Sequence, residues 1–433
     1  MHQPEPTAGE TAWFVHDRFG MFIHWGLYAQ PARHEWVKSH EKIDDENYEK
    51  NFENFDPDLF DAKAWARAAR LAGMKYFVIT AKHHEGFCLW DTKYTDYKIT
   101  NTKVGRDLLR EVVDAFRQEG LRVGFYYSLL DWHHPDFTID GLHPLRDHPD
   151  AHELNKPRDM TRYAEYMRNQ VRELLTDFGK IEVLWFDFSY AHGGPHNGMP
   201  GKGRDDWQSP ELLKMARELQ PGIIVNNRLD LPDEPADVHT PEQFQPTAWV
   251  KVEGKPVVWE ACQTLSGSWG YHRDETTWKS PEQLVQMLVN TVAIGGNLLM
   301  NVGPTARGTL DDRALDALEV YGEWMRLHER SIRGCTQSEY QAPPDCRLTQ
   351  NGNRLYIHVF AWPFRHIHLP GMAGKIAYAQ LLDDASEIKF NEAGAAQPHD
   401  ALSESLEAGM LTLELPVIKP NVVVPVIELF LKD

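Results

Sequence analysis

Cysteine is scarce in this 433-residue chain: Cys88, Cys262, Cys335 and Cys346 are scattered, with no C-x-x-C pair. This excludes a disulfide framework and a zinc ribbon, and it suits free thiols in a reducing compartment. Export would leave a Cys335–Cys346 pair open as an alternative. Basic residues are also in deficit, with 45 Lys and Arg against 64 Asp and Glu, a formal charge of −19. Such a surface repels phosphate backbones and anionic lipid, which argues against nucleic acid and membrane as partners. No stretch offers about 18 consecutive apolar residues. The opening MHQPEPTAGETAWF lacks a basic segment followed by an apolar core, so a cytoplasmic protein is expected. There is no Gly-rich phosphate loop after the first apolar run and no H-E-x-x-H, which counts against a dinucleotide fold and a zincin. Internal repeats and low-complexity tracts are absent as well.

What the chain does have is apolar and aromatic residues, 42% hydrophobic with 14 Trp, 15 Tyr and 19 Phe. That is enough for a large core, in a length that suits one large domain and one small one. Many of the aromatics stand beside charged residues at the ends of apolar runs. Aromatic faces next to carboxylates and imidazoles suit a carbohydrate pocket, where apolar sugar faces stack and hydroxyls need hydrogen bonds.

Eight short apolar runs read as strands: FGMFIHW (19–25), MKYFVITA (74–81), LRVGFYYSLL (121–130), IEVLWFDF (181–188), GIIVNN (222–227), ADVHT (236–240), PVVWEA (256–261) and GNLLMNVG (296–303). Between most of them lie segments with apolar residues at three- and four-residue spacing, several ending in Gly and two opening on Ser-Pro. The region 229–255 has no helical pattern, and ADVHT has the weakest strand pattern. Alternating β and α units with eight strands predict an irregular (β/α)₈ barrel, an α/β fold, over residues 1–337. From about Tyr340 the runs become short and alternating, which predicts a small antiparallel β-sandwich domain over 338–433.

In such a barrel the carboxyl ends of the strands face the active site. Reading those ends in order gives His24, His83 with His84, Tyr127, Asp187, Asn227 with Arg228, Glu242, Glu260 and Asn301. A structural role is the simpler account of any single one. A polar group at the same end of nearly every strand is poorly explained by chance. Asp187 ends a run so apolar that its charge must be paired or functional. Glu242 follows ADVHT in a Pro-bearing loop, and Glu260 is expected at the end of its own strand; position alone does not choose between them.

Nine motifs, in order, carry a resemblance: FGMFIHWGLYA with HEW at 34–36, YFVITAKHHEGFCLWDT, GRDLL, VGFYYSLLDW, EVLWFDF, VNNR, TPEQ, WEACQTLSGSWGY and GGNLLMNVGP. From about Phe14 to Arg333 the chain resembles the α-L-fucosidases of glycoside hydrolase family 29. The resemblance implies a retaining exo-hydrolase of terminal α-L-fucose that uses no metal or organic cofactor. It implies Asp187 as nucleophile and Glu242 as general acid/base, with Glu260 as the alternative. It further implies that His24, Glu35, Trp36, His83, His84, Tyr127, Trp185, Arg228 and Trp269 bind the sugar. Many members of the family have Gly after the nucleophile, where Phe188 stands here.

The implied partner is a fucosylated oligosaccharide or glycoconjugate, and a homo-oligomer that completes the leaving-group subsite is open. Linkage preference would reside in loops such as 131–160 and 190–207. Three other readings compete: a metal-dependent barrel hydrolase, a non-catalytic fucose-binding protein, and a hydrolase of a related sugar such as α-L-galactose. The stretch TAKHHEGF poses the metal question directly. Neighbours on an extended strand point to opposite sides, so His83 and His84 can share a site only if the chain turns between them. In this reading both clamp fucose hydroxyls, and Glu85 is a loop residue without a role.

Overall fold

The computed structural model describes residues 4–191, 201–392 and 409–432. Five parallel strands pair in chain order: β1 (Phe19–Ile23), β2 (Tyr76–Lys82), β3 (Arg122–Ser128), β4 (Val183–Asp187) and β5 (Ile224–Val225). A hairpin of β6 (Lys251–Val252) and β7 (Lys255–Pro256) stands apart from them. Then β8 (Glu260–Thr264) pairs with β9 (Asn297–Val302), which pairs with β1. The gap between β5 and β8 is crossed by isolated parallel bridges from Val238 to Asn226, His239 to Trp259 and Glu242 to Cys262. The expected ADVHT strand is therefore present only as bridges. With it the ring closes as eight parallel segments in sequence order, a (β/α)₈ barrel.

Helices cover the outside where the periodicity placed them, including Ala62–Leu71, Leu108–Gln118, Met160–Asp177 and Pro281–Ala293. Asp61, Asp107 and Asp159 cap the first three by accepting backbone N–H groups. Ser280 and Gln283 cap the fourth reciprocally, which satisfies donors that a helix start leaves open. The other Ser-Pro differs, since Ser209 is already helical and Gln208 is the cap.

Period-two alternation divides the strands into two cores. Outward residues such as Met21, Phe77, Phe125, Tyr127 and Leu184 pack against the helices. Inward residues Phe22, Val78, Tyr126, Trp185, Cys262 and Leu299 fill the barrel.

Among the described residues, eight further strands form the C-terminal β domain: β10 (Thr336–Gln337), β11 (Cys346–Asn351), β12 (Arg354–Val359), β13 (His366–Leu369), β14 (Ile376–Leu381), β15 (Lys389–Glu392), β16 (Leu411–Glu414) and β17 (Val426–Leu431). They make a five-stranded sheet, β10-β11-β12-β17-β14, and a three-stranded sheet, β13-β16-β15. Ile357 and Leu429 of the first share one core with Leu369 and Leu413 of the second. All four cysteines are buried and free, so Cys335 and Cys346 are not paired. Among the described residues no helix is long and apolar enough to cross a membrane.

Candidate active site

The strand ends converge on one pocket at the carboxyl mouth of the barrel. Asp187, the last residue of β4, is held from two sides. Tyr126 Oη donates to its Oδ2 at 2.7 Å, and Arg228 Nη1 donates to its Oδ1 at 2.8 Å. The same Nη1 lies 2.8 Å from Glu242 Oε2. The two carboxylate oxygens are thus no farther apart than twice that length, closer than the about 6.5–9.5 Å of a pair that inverts and compatible with the about 5–5.5 Å of a double-displacement pair. Asp187 is the enclosed member and Glu242 the open one, with side-chain exposures of 12% and 40%. Burial raises the Asp187 carboxyl to about 6, against the opposing pull of the Arg228 guanidinium.

Imidazoles and indoles wall the pocket. His24, at the end of β1, lies 2.7 Å through Nδ1 from Asn301 Oδ1. His84 lies 2.6 Å through Nδ1 from Ser128 Oγ, with Nε2 3.8 Å from Asp187 Oδ2. β2 ends at Lys82 after a register shift between Thr80 and Lys82. The chain turns there, so both His83 and His84 enter the pocket with ring centroids 4.0 Å apart. Burial lowers the pKa of all three histidines, His24 to about 3, so all are neutral near pH 7. Glu35 is also buried, which raises its pKa, and it accepts from the Gly270 amide at 2.8 Å. Trp185 stacks on Tyr126 at 5.6 Å with Arg228 4.7 Å from its ring. Trp36 and Trp269 complete the wall. Among the described residues no three His, Cys, Asp or Glu side chains converge as a metal site.

Three expectations need correction. Tyr127 is not in the pocket: it points outward, donates to Gln170 Oε1 at 2.7 Å and lies 4.5 Å below Lys82 Nζ. Its neighbour Tyr126 pairs in register with Trp185 and faces inward. The missed signal was parity, because inward Trp185 and Asp187 fix which tyrosine shares their side. Glu260 begins β8 instead of ending a strand, so it lies at the barrel floor, where it accepts from Tyr76 Oη. Glu85 is no idle loop residue: it is buried, accepts the Leu27 amide at 2.8 Å and the Tyr48 hydroxyl, and so anchors the turn after β1. The loop 190–207, expected to set linkage, falls partly outside the described residues, at 192–200.

Phe188 follows the nucleophile candidate at φ 82°, a left-handed conformation costing about 1–3 kcal/mol for a bulky residue. Its ring packs against Trp36 at 5.2 Å, His84 at 5.3 Å and Tyr190 at 5.7 Å. Phe188, Trp36 and His84 of that cluster line the pocket with Asp187 and Glu242.

Glu260 yields a stability prediction. Its carboxyl is pushed up by burial from 4.5 to about 8, so between those values the folded state holds a proton that the unfolded state has lost. Its contribution is then intact below the unfolded pKa and falls by about 1.4 kcal/mol per pH unit as pH rises. Glu260→Gln, which keeps an acceptor for Tyr76, should lose that slope. Urea denaturation from pH 5 to pH 8 measures it; parallel wild-type and variant curves would refute a protonated Glu260.

Two carboxyl groups joined through one guanidinium, in an aromatic-walled pocket at the C-terminal mouth of a (β/α)₈ barrel, fit the class of retaining glycoside hydrolases. Relatives narrow the class. A family model described as α-L-fucosidase matches residues 5–330. The solved α-L-fucosidase isoenzyme 1 of Paenibacillus thiaminolyticus is 46% identical with a TM-score of 0.90, over 98% of this chain and 99% of that one. An α-L-fucosidase from Bacteroides thetaiotaomicron, solved as a trapped covalent intermediate with 2-fluoro-fucosyl fluoride, is 28% identical with a TM-score of 0.84, over 100% of this chain and 98% of that one. Human plasma α-L-fucosidase is 29% identical over 94% of this chain and 85% of its own length. The chain belongs to the α-L-fucosidase family, glycoside hydrolase family 29.

Proposed function

We propose that Asp187 is the nucleophile and Glu242 the general acid/base of a retaining exo-α-L-fucosidase acting on terminal fucose of oligosaccharides or glycoconjugates. The observation that carries this reading is Arg228 Nη1 bonded at 2.8 Å to both carboxylates. Ionised Asp187 attacks the anomeric carbon from the enclosed side while Glu242 gives a proton to the departing oxygen. The glycosyl-enzyme ester then falls to water, from which Glu242 takes a proton. The exposures support this division, because the acid/base must meet both leaving group and water.

His24, Glu35, Trp36, His83, His84, Trp185, Arg228 and Trp269 bind the sugar in this reading, with Tyr126 orienting the nucleophile. The barrel up to residue 337 carries the chemistry, and the β domain of 338–433 braces it. A metal-free site suffices for these steps, since both charges that develop have a protein partner.

Incubation with 2-fluoro-fucosyl fluoride should leave one fluorofucosyl group on the peptide containing Asp187, read by mass spectrometry. Label on Glu242 or Glu260 instead would reassign the nucleophile.

A further inference from the structure

The partners of the pocket histidines decide which ring nitrogen carries the proton. Ser128 Oγ has one proton and lies 2.8 Å from the carbonyl oxygen of Leu130, a group that can only accept. With its proton so used, Ser128 Oγ can only accept from His84 Nδ1 at 2.6 Å. Neutral His84 therefore carries its proton on Nδ1 and presents a lone pair on Nε2. Asn301 sets His24 in the same way. Its amide nitrogen donates to the Trp269 carbonyl at 2.6 Å, because the reverse orientation would oppose two oxygens. Asn301 Oδ1 is thereby turned to His24 Nδ1 at 2.7 Å, and the proton must be there.

We propose that Ser128 and Asn301 are positioning residues that lock His84 and His24 as Nδ1-protonated tautomers, making both imidazoles acceptors that take hydroxyl protons from the sugar and give none to Asp187. The consequence is sharpest at His84. Its Nε2 and Asp187 Oδ2 are 3.8 Å apart and both are acceptors, so nothing joins them until a donor enters. A sugar hydroxyl entering there has one proton, which it gives to His84 Nε2, leaving Asp187 with the donors it already has. The opposite tautomer would aim an N–H at Asp187 across that 3.8 Å, and a slight closing of the gap would add it to the donors Tyr126 and Arg228. A third donor would stabilise the carboxylate before attack more than in the transition state, where its charge is being spent.

The proposal rests on Asp187 as nucleophile for its kinetic meaning, whereas the tautomers stand independently. Neutron diffraction from the perdeuterated wild-type protein should show a deuteron on Nδ1 and none on Nε2 of His84 and His24. A deuteron on His84 Nε2 would overturn the proposal, whatever Ser128 variants do. Kinetics supply the second readout. The groups facing Asp187 are Tyr126, His84, Arg228 and Glu242, and only the His84 proton should move in Ser128→Ala. That variant should lower kcat about tenfold and shift the acid limb of kcat/KM down by about half to one pH unit as Asp187 gains a donor. Ser128→Thr should restore both. A lower kcat with an unmoved acid limb, unrestored by Thr, would reduce Ser128 to a packing residue and overturn its assigned role. Fluorofucosyl label away from Asp187 would instead refute the nucleophile and leave the tautomers as they are.

Discussion

Asp187→Gly is expected to lower turnover of an aryl α-L-fucoside by about 10⁴-fold or more, since losing the proposed nucleophile removes the double displacement altogether. The fold should survive. Asp187 is raised to about 6 in the folded state, so its ionisation costs stability as pH rises from the unfolded value of 3.8 through 6. The glycine variant escapes that cost, and its melting temperature near pH 7 should equal or exceed the wild type's. Arg228 then keeps Glu242 as its partner, and with Asp187 as the proposed nucleophile the vacated space would sit against the anomeric carbon. Azide should enter there and restore part of the turnover in a single displacement, which inverts the centre and yields β-fucosyl azide. Product analysis by NMR reads the anomer. Near-native turnover without azide would remove Asp187 from the chemistry.

Much of this site was legible because barrel topology turns chain order into spatial order. Polar residues at the ends of apolar runs mark one mouth once the segments are read as parallel strands, and His24, His84 and Asp187 needed little more. What failed was phase. VGFYYSLL contains two adjacent tyrosines, and only its register against Trp185 and Asp187 tells that Tyr126 is the inward one. PVVWEA is apolar before the strand begins, because Val258 and Trp259 pack ahead of the pairing that starts at Glu260. Reading the strand a few residues early moved Glu260 from the floor to the mouth. Residues 238–242 show little strand pattern because bridges, not a full ladder, hold them. The contacts of Ser128 and Asn301 could not be read at all, since a hydroxyl or amide does not announce which distant imidazole it faces. TAKHHEGF is the mixed case: its histidines share a site because β2 ends in time, while Glu85 is fixed by Leu27 and Tyr48 from far along the chain.

The effect of Glu242→Ala should depend on the leaving group, and that dependence separates an acid/base from a mere binding carboxylate. A sugar alkoxide cannot depart unprotonated at useful rates, so fucosyl oligosaccharides should lose about 10²–10⁴-fold in kcat/KM. An activated aryl fucoside needs little proton help and should lose far less in that step. Its second step still lacks a base, so glycosyl-enzyme should accumulate in a burst, with a low KM. Azide needs no deprotonation and should accelerate that step. Because Asp187 still acts, two inversions return the original configuration, and the product should be α-fucosyl azide, opposite to that from Asp187→Gly. The pH profile adds an independent sign. Glu242 helps to raise the Asp187 carboxyl, while Arg228 holds it down. Removing Glu242 leaves the guanidinium to Asp187 alone, so the acid limb should move to lower pH. If Glu260→Ala rather than Glu242→Ala gave the leaving-group dependence and the α-azide, the floor residue would have to reach the mouth of the barrel. The Tyr76 contact at the start of β8 holds Glu260 at the opposite end from the pocket.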